Sequence, residues 1–542
     1  MLIALALLAS WPFFETLGYA PMTADPPTWI SRGTPLSAEW LTWVFARDHY
    51  SWYRPVTALS FAFNQVVSDV NPWAFRATDL ALHLAVGWLA GAVFRRWVPR
   101  TSPWAGVVVC AIVWVHPIAE EVVPYMARRS YSLSACFGLA ALWGLHGAVE
   151  RARTGGSSLR ASLGVGVLLT LALLSNEGAL TIVLVAPLLA GTRLLGRPEG
   201  PGGPQGTRRA GGLAQIVRLL LPAAGVVALT MALRCWVIGG LGGYGQDSQG
   251  QAIGLGALVS LGGVVSGLEI WSSALGVVGV LVLVGFAGGY YLTVARRALR
   301  SEAHPAERLL LVGLLWIALA GVLFLFAGIY TERQAYGLQV PLAFVLVGAW
   351  CARRSWLDAL APVLLLGTLL WASPVVHGQH APRLAGWAER QALLTALATD
   401  LATCERPAVV RVVLPNMRRN VSVRSVGGEG SSRLSLHRSI RQPLVWTQIA
   451  LHDHTHELDL RDFLYYPRDG EPGRLEQRRG RPALRLPSEG PLYLRRGPDF
   501  FAVAPDSVLW LDELNWPADA NGYIYVWGPS GGQLKLLQPA PR

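Results

Sequence analysis

The chain has 542 residues, of which 52% are hydrophobic and only 15% charged, and a formal net charge of +12. Soluble domains carry about 25% charged residues, so a wholly soluble protein is excluded. The positive charge does not point to nucleic acid. It sits in short gaps between apolar runs, where arginine sets membrane topology and meets anionic inner-leaflet lipid.

About eleven apolar runs fill residues 1–374: 1–19, 76–94, 104–116, 130–149, 161–175, 178–192, 214–238, 273–295, 309–329, 334–350 and 356–374. Several are shorter than the ~20 residues that cross a bilayer and are expected to extend into flanking polar residues. Arginine occupies every second gap: Arg95, Arg96 and Arg100; Arg151, Arg153 and Arg160; Arg193, Arg197, Arg208 and Arg209; Arg296, Arg297 and Arg300; Arg353 and Arg354. Short loops rich in Lys or Arg stay cytoplasmic. The gaps at 20–75, 117–129, 176–177, 239–272 and 330–333 then face outward, and an odd helix count puts residues 375–542 outside as well.

In the first outer loop, Val56, Leu59, Phe63 and Val67 recur at spacings of three and four, which predicts an amphipathic helix over 52–70 lying at the interface plane. The Gly-rich stretch 250–271 reads as a further interfacial or re-entrant segment, and 198–212 as a flexible linker. After Trp371 the pattern changes. Residues 383–403 predict one helix, and short β-branched and aromatic runs follow at 408–414, 491–495, 500–504, 508–511 and 523–527. The expected architecture is an all-α polytopic membrane domain over 1–374 and a small β-rich or α/β domain over 375–542, outside the cytoplasm. The five cysteines show no CxxC or zinc spacing. Asp453, His454 and His456 have a metal-like spacing but read as solvated loop residues.

Ionisable groups in or beside a membrane are costly and usually face a cavity or a partner. Here they gather at the outward ends of the runs: Arg54 after Tyr53, Asp79 and His83 one helical turn apart, His116 with Glu121 and Arg129, Glu177 after Asn176, Arg234, and Glu332-Arg333 before Tyr336. Each taken singly is equally well a helix cap or an interface anchor. Their arrival on one side of the membrane favours a site.

These motifs resemble the GT-C membrane glycosyltransferases, in particular the branch of the transmembrane and tetratricopeptide-repeat O-mannosyltransferases and their bacterial relatives. The residues that carry the resemblance are Tyr53-Arg54-Pro55-Val56 with Leu59-Ser60-Phe61, and Asn71-Pro72. Further along come His116-Pro117 with Glu121 and Arg129, Ser175-Asn176-Glu177, and Glu332-Arg333 with Tyr336. The likeness covers about residues 1–374. It departs from the branch in keeping one acid, Asp25, where a pair is usual after the first helix. It also has Asn176 for Lys and Tyr131 for Asp, and the 542 residues contain no tetratricopeptide array.

The resemblance implies a transferase that takes a sugar from a polyprenyl-phosphate donor and passes it to a glycan, lipid or protein acceptor on the outer face of a bacterial inner membrane. It implies a carboxylate that takes the acceptor proton, with Asp25 first and Asp48 and Glu121 behind it. It implies cations on the leaving phosphate, namely Arg129, Arg234 and Arg333. Arg54, Asp79, His83, His116, Glu177, Glu332 and Tyr336 would support them. Some relatives use a divalent cation (Mg or Mn) and others none; a lone acid after the first helix favours no tightly bound metal. The competing readings are an envelope-polysaccharide polymerase or ligase, a transporter or flippase, and a non-catalytic relative that binds lipid-linked glycan. Paired broken helices and repeated halves, frequent in transporters, are not evident.

The arginine alternation is testable by itself. A reporter active only outside the cytoplasm is expected to be active when fused after residue 380 and silent when fused near residue 203. The reverse pattern would overturn the assignment of every gap.

Overall fold

The computed structural model describes residues 2–14, 17, 35–45, 53–68, 72–99, 101–194, 206–238, 304–327 and 332–352, together with ten strands between Ala408 and Gln538. The chain divides into a helical unit and a strand-bearing unit. The expected helices at 273–295, 356–374 and 383–403, the segment 250–271 and the first part (198–205) of the expected linker 198–212 lie outside the described residues; the rest of that linker, 206–212, is helical instead.

The helical unit contains α1 (Leu2–Phe14), α2 (Ala38–Phe45), α3 (Pro55–Ser68), α4 (Pro72–Trp97), α5 (Trp104–Val115), α6 (Arg129–Arg153), α7 (Leu159–Ser175), α8 (Leu180–Leu194), α9 (Gly206–Ile238), α10 (Pro305–Ala327) and α11 (Gln339–Ala352). Three of them open on proline, at Pro55, Pro72 and Pro305. Proline suits the first helical position, where its missing N–H is not needed and its φ is already helical. Tight 3₁₀ turns at Pro117–Glu121, Met126–Arg128, Glu177–Ala179 and Glu332–Leu338 separate the longer elements. Helix α5 stops at His116 because the next residue is Pro117. A residue before proline is pushed to extended backbone, and His116 has φ −62° and ψ 128°.

Among the described residues, six helices are long and apolar enough to cross a membrane: Trp73–Trp97, Arg129–Arg153, Glu177–Leu194, Ala214–Ile238, Pro305–Leu323 and Gln334–Ala352. Two more apolar helices, Trp104–Val115 and Leu159–Ser175, are shorter. At 12 residues, α5 reaches only about 18 Å against a hydrocarbon core of about 30 Å. The turn that follows it is therefore recessed, and Ile118, Ala119, Val122 and Val123 within it are buried.

The core runs through Val93 and Phe94 of α4, Val113 of α5, Leu142 of α6, Trp316 of α10 and Phe344 of α11. Helix α11 is its centre: 78% of its span is buried, against 22% for α9. Lipid tails are as apolar as leucine, so close packing by small residues holds such helices together. Gly91 of α4 faces Gly106 of α5 so closely that a methyl on Gly91 would lie 2.5 Å from the Gly106 carbonyl oxygen and 2.5 Å from Cys110 Sγ.

The first outer loop holds two helices rather than the single one expected, because Trp40 and Val44 of α2 pack on Ala58 and Ala62 of α3. The face that α3 buries carries Thr57, Phe61 and Asn64. Its apolar stripe points away from the protein, with Phe63 66% and Val67 67% exposed, as a helix whose apolar face meets lipid requires.

A polar staple joins α3, α4 and α6. Arg129, with its side chain fully enclosed, donates from Nε to Asp79 Oδ1 at 2.5 Å. Its other nitrogens donate to Asn64 Oδ1 at 2.6 Å, the Phe75 carbonyl at 2.7 Å and the Ser60 carbonyl at 3.3 Å. The guanidinium also lies over the Phe61 ring, 4.3 Å from its centroid. A buried guanidinium without acceptors is expensive; here four of its five N–H donors are matched.

In the strand-bearing unit, one sheet runs β10-β9-β1-β3-β6-β7, with β2 also on β1, and a second runs β4-β5-β8. Strand β1 (Ala408–Pro415) lies at the middle of the larger sheet and is parallel to β2 (His456–Leu458), β3 (Asp462–Tyr466) and β9 (Asn521–Gly528). Strand β10 (Gly531–Gln538) closes a hairpin with β9, and β6 (Leu492–Arg496) closes one with β7 (Asp499–Val503). The smaller sheet is built of β4 (Arg474–Arg478), β5 (Arg481–Arg485) and β8 (Val508–Trp510).

Two substitutions test this packing. Gly91→Ala is expected to cost about 1–3 kcal/mol through overpacking, read as a lower unfolding midpoint in detergent. Asp79→Ala leaves the Arg129 charge buried without its carboxylate and is expected to cost about 3–5 kcal/mol; an unchanged midpoint would remove Arg129 from the fold's framework.

Candidate functional site

The chemistry-bearing side chains gather at one end of the helical bundle. They lie at the start of α4, α6, α8 and α11 and at the end of α5, α7 and α9, which alternate in direction along the chain. The other end holds arginines: Arg95 and Arg96 end α4, Arg151 and Arg153 end α6, and Arg193 ends α8. The two polar sets are thus separated by the apolar core.

The centre of the first set is Glu177. Asn176 shapes the turn that carries it: its Oδ1 accepts from Gly178 N at 2.9 Å, and its Nδ2 donates to Ser130 Oγ at 3.2 Å. Thr57 Oγ1 donates to the Ser175 carbonyl at 3.0 Å and brings the start of α3 beside the same turn. Arg54 then meets Glu177 through two hydrogen bonds, Nη2 to Oε1 at 2.5 Å and Nε to Oε2 at 3.2 Å. Arg234, from the last turns of α9, stands 3.6 Å from Glu177 Oε2 and donates to the Tyr53 carbonyl at 3.0 Å.

Both arginine side chains are enclosed, at 6% and 5% exposure, whereas the carboxylate between them is 41% exposed. Two guanidinium groups thus converge on one half-exposed carboxylate. Burial raises the Tyr53 hydroxyl above its ordinary pKa, and the Arg234 charge opposes that rise.

A second cluster lies deeper. His83 Nε2 faces the Trp114 carbonyl at 3.2 Å, and its Nδ1 faces the Tyr336 hydroxyl at 2.8 Å. A carbonyl only accepts, so Nε2 carries the proton it donates. Ser132 Oγ donates to the same hydroxyl at 3.3 Å. Four elements, α4, α5, α6 and the turn before α11, meet here. Asp79 and His83 do share a face of α4, but they serve separate partners.

The remaining expected residues divide as follows. Arg129 is consumed by the staple, so it is not placed to bind a donor phosphate: its side chain has no exposure, and four protein acceptors already surround it. Arg54, expected only to support, occupies the place beside Arg234 instead. Glu121 pairs with Arg128 at 2.7 Å. His116 caps the turn after α5, its Nδ1 accepting from Ile118 N at 3.1 Å. Asp25 and Asp48 lie outside the described residues, as do the side chains of Glu332 and Arg333. Among the described residues no three His, Cys, Asp or Glu side chains come together as a metal-binding set.

Several participants were not anticipated: Asn64, Ser130, Ser132, Thr57 and Arg76. Arg76 is buried and donates to the Pro124 carbonyl. A charge at the start of an apolar run was its visible signal. The hydroxyl and amide groups carried none, since such residues occur freely in membrane helices.

No family model matches the chain. Its sequence is similar to the protein O-mannosyl-transferase TMTC3 of Mus musculus, 33% identical over 109 residues, which is 20% of this chain and 11% of that protein. The Homo sapiens TMTC3 is 32% identical over 109 residues, with the same shares of 20% and 11%. The match therefore spans about a tenth of those relatives' length. Among solved structures, apo ArnT from Cupriavidus metallidurans aligns with 84% of this chain and 76% of its own at 15% identity and a TM-score of 0.40. The apo Archaeoglobus fulgidus oligosaccharyltransferase aligns with 76% of this chain and 62% of its own at 12% identity and a TM-score of 0.38. Over those 109 residues the sequence resembles the O-mannosyltransferase branch.

Proposed function

We propose that this chain is a glycosyltransferase that moves a sugar from a polyprenyl-phosphate-linked donor to an acceptor on the outer face of the membrane. The observation that carries the reading is the convergence of Arg54 and Arg234 on the half-exposed Glu177. Guanidinium binds phosphate oxygens through paired, charge-assisted hydrogen bonds. In a site walled off from water, fixed charge stabilises a leaving phosphate at little reorganisation cost. The donor's prenyl chain would lie along the apolar helices. The name of the mouse and human relatives, a protein O-mannosyl-transferase, makes mannose the first sugar to try.

In the reaction, an acceptor oxygen attacks the anomeric carbon, the bond from that carbon to the phosphate oxygen breaks, and the electron pair leaves on the phosphate. The acceptor's proton passes to a carboxylate. With Glu121 paired to Arg128 and Glu177 held between two arginines, Asp25 is the base we assign, with Asp48 as its alternative. Divalent metal is not required by this scheme, and the transfer is expected to persist in chelator. A non-catalytic, glycan-binding relative is the second reading; the lone acid after the first helix favours it.

The test uses purified protein in lipid nanodiscs, with undecaprenyl phosphate as the binding probe and polyprenyl-phosphate-mannose as the donor. Arg234→Ala is expected to stay folded and to bind the probe about tenfold or more weakly, as loss of a charged hydrogen bond predicts. Asp25→Asn is expected to bind normally and to transfer about a hundredfold to ten-thousandfold more slowly. Undiminished binding by Arg234→Ala would reduce the arginine pair to an internal ion pair. Binding without transfer by the wild type, across a panel of donors, would favour the second reading.

A further inference from the structure

The arginine-bearing end of the bundle contains a cavity that the transfer chemistry does not use. It measures about 430 Å³ and is lined by Arg95, Arg96, Pro99, Thr101, Pro103 and Trp143, among others. Its walls are fixed from three directions. Trp97 Nε1 donates to the Leu142 carbonyl at 3.3 Å, and its ring stands edge-on to His146 with centroids 5.2 Å apart. Arg193 donates to the Trp97 carbonyl at 2.8 Å. The stem of Arg95 lies across Gly106, where a methyl would come within 2.6 Å of its Cδ; any larger residue there would displace it.

The two arginines are preset rather than neutralised. Arg96 rests over the Trp143 ring, 4.5 Å from its centroid, and donates from Nε to His146 Nδ1 at 3.3 Å. Its two terminal nitrogens, and the whole Arg95 guanidinium, have no hydrogen-bond acceptor among the described residues. Among the described residues no carboxylate lines the cavity. Glu150, on the same helix as Trp143, is paired with Arg153 at 3.2 Å and lies 3.9 Å from His146. A concave site with two open guanidinium groups selects an anion, and phosphate matches their fork geometry. The rim says where the anion comes from. Trp143 is 44% exposed, and Trp104, next to the lining residue Pro103, is 53% exposed. Trp104 opens α5, and an exposed tryptophan at a helix end sits at headgroup level.

We propose that this cavity binds the phosphate of an anionic phospholipid headgroup through Arg95 and Arg96, with Trp143 as the platform that orients Arg96. Such a lipid ties the end of α4 to α6 from outside, at the opposite end of the bundle from Glu177.

The test is native mass spectrometry of the full chain released from vesicles of phosphatidylglycerol and phosphatidylcholine in equal parts. Wild type is expected to retain phosphatidylglycerol in preference. Arg95→Gln, an exposed change that leaves the fold alone, is expected to lose about fivefold in relative affinity. Arg95→Gln with Arg96→Gln is expected to lose about thirtyfold, taking each basic group near a headgroup at its usual worth. Arg151→Gln with Arg160→Gln, exposed arginines at the same end of the bundle, is expected to change little. Equal losses in the two double variants would reduce the effect to diffuse charge and overturn the site. Equal retention of the two lipids by wild type would overturn it as well. So would displacement of the lipid by millimolar inorganic phosphate, which would make the cavity a site for soluble anions.

Discussion

A guanidinium sealed inside a membrane bundle must find its acceptors in the protein, and for Arg129 they come from two helices other than its own. Asp79 belongs to α4, Asn64 and the Ser60 carbonyl to α3, and the Phe75 carbonyl to the first turn of α4. Because each unmatched donor would carry a desolvation cost, α3 is held in one rotation about its axis. That rotation turns Phe63 and Val67 outward and aims Arg54, one residue before α3, at Glu177. The site at Glu177 is thus downstream of the staple. Ser130 and Thr57 extend the same linkage, since Ser130 follows Arg129 in α6 and accepts from Asn176, while Thr57 reaches the Ser175 carbonyl.

The two ends of the bundle differ in how they treat charge. At the Glu177 end the arginines are buried, paired and drawn from distant parts of the sequence, while Glu177 is half-exposed; Arg54 and Glu177 are 123 positions apart. At the other end the arginines are exposed or lie along the bundle's side, with aromatic faces, carbonyls, His146 and Glu150 for partners. The first pattern concentrates charge in a low-dielectric setting, where it acts strongly on whatever enters. The second sets topology and meets lipid headgroups. Between them the helices pack through small residues, and α11 has almost no lipid-facing surface. That arrangement follows from a solvent that gives helices no hydrophobic reason to associate.

The brevity of α5 has its own consequence. His116 and Pro117 end it well short of a full crossing, so the 3₁₀ turns that follow lie within the bundle's depth. Buried polar backbone at that depth needs partners. The His116 ring supplies one for Ile118 N, and Arg76 and Arg128 donate to the carbonyls of Pro124 and Glu121. His116 and Arg128 therefore help to hold the framework of the recess.

The positions of the described membrane helices were legible in the residue order because the bilayer imposes a length and a polarity on each crossing. Prolines marked several boundaries, and the alternation of arginine separated the two ends. The same rules pointed to Arg54, Asp79, His83, Glu177, Arg234 and Tyr336, since a polar side chain in an apolar run stands out. What they did not reveal was which of these meet. Arg129 and Arg234 look alike in sequence: each is a cation at the outward end of an apolar helix. Only the packing of α3 against α4 and α6 encloses the first among four acceptors, and only the turn at Asn176 places the second beside Arg54 and an open carboxylate. Sequence determined where charge enters the membrane, because burial is costly wherever it occurs; tertiary structure decided which charge is neutralised and which is left to act, because that depends on acceptors far away along the chain.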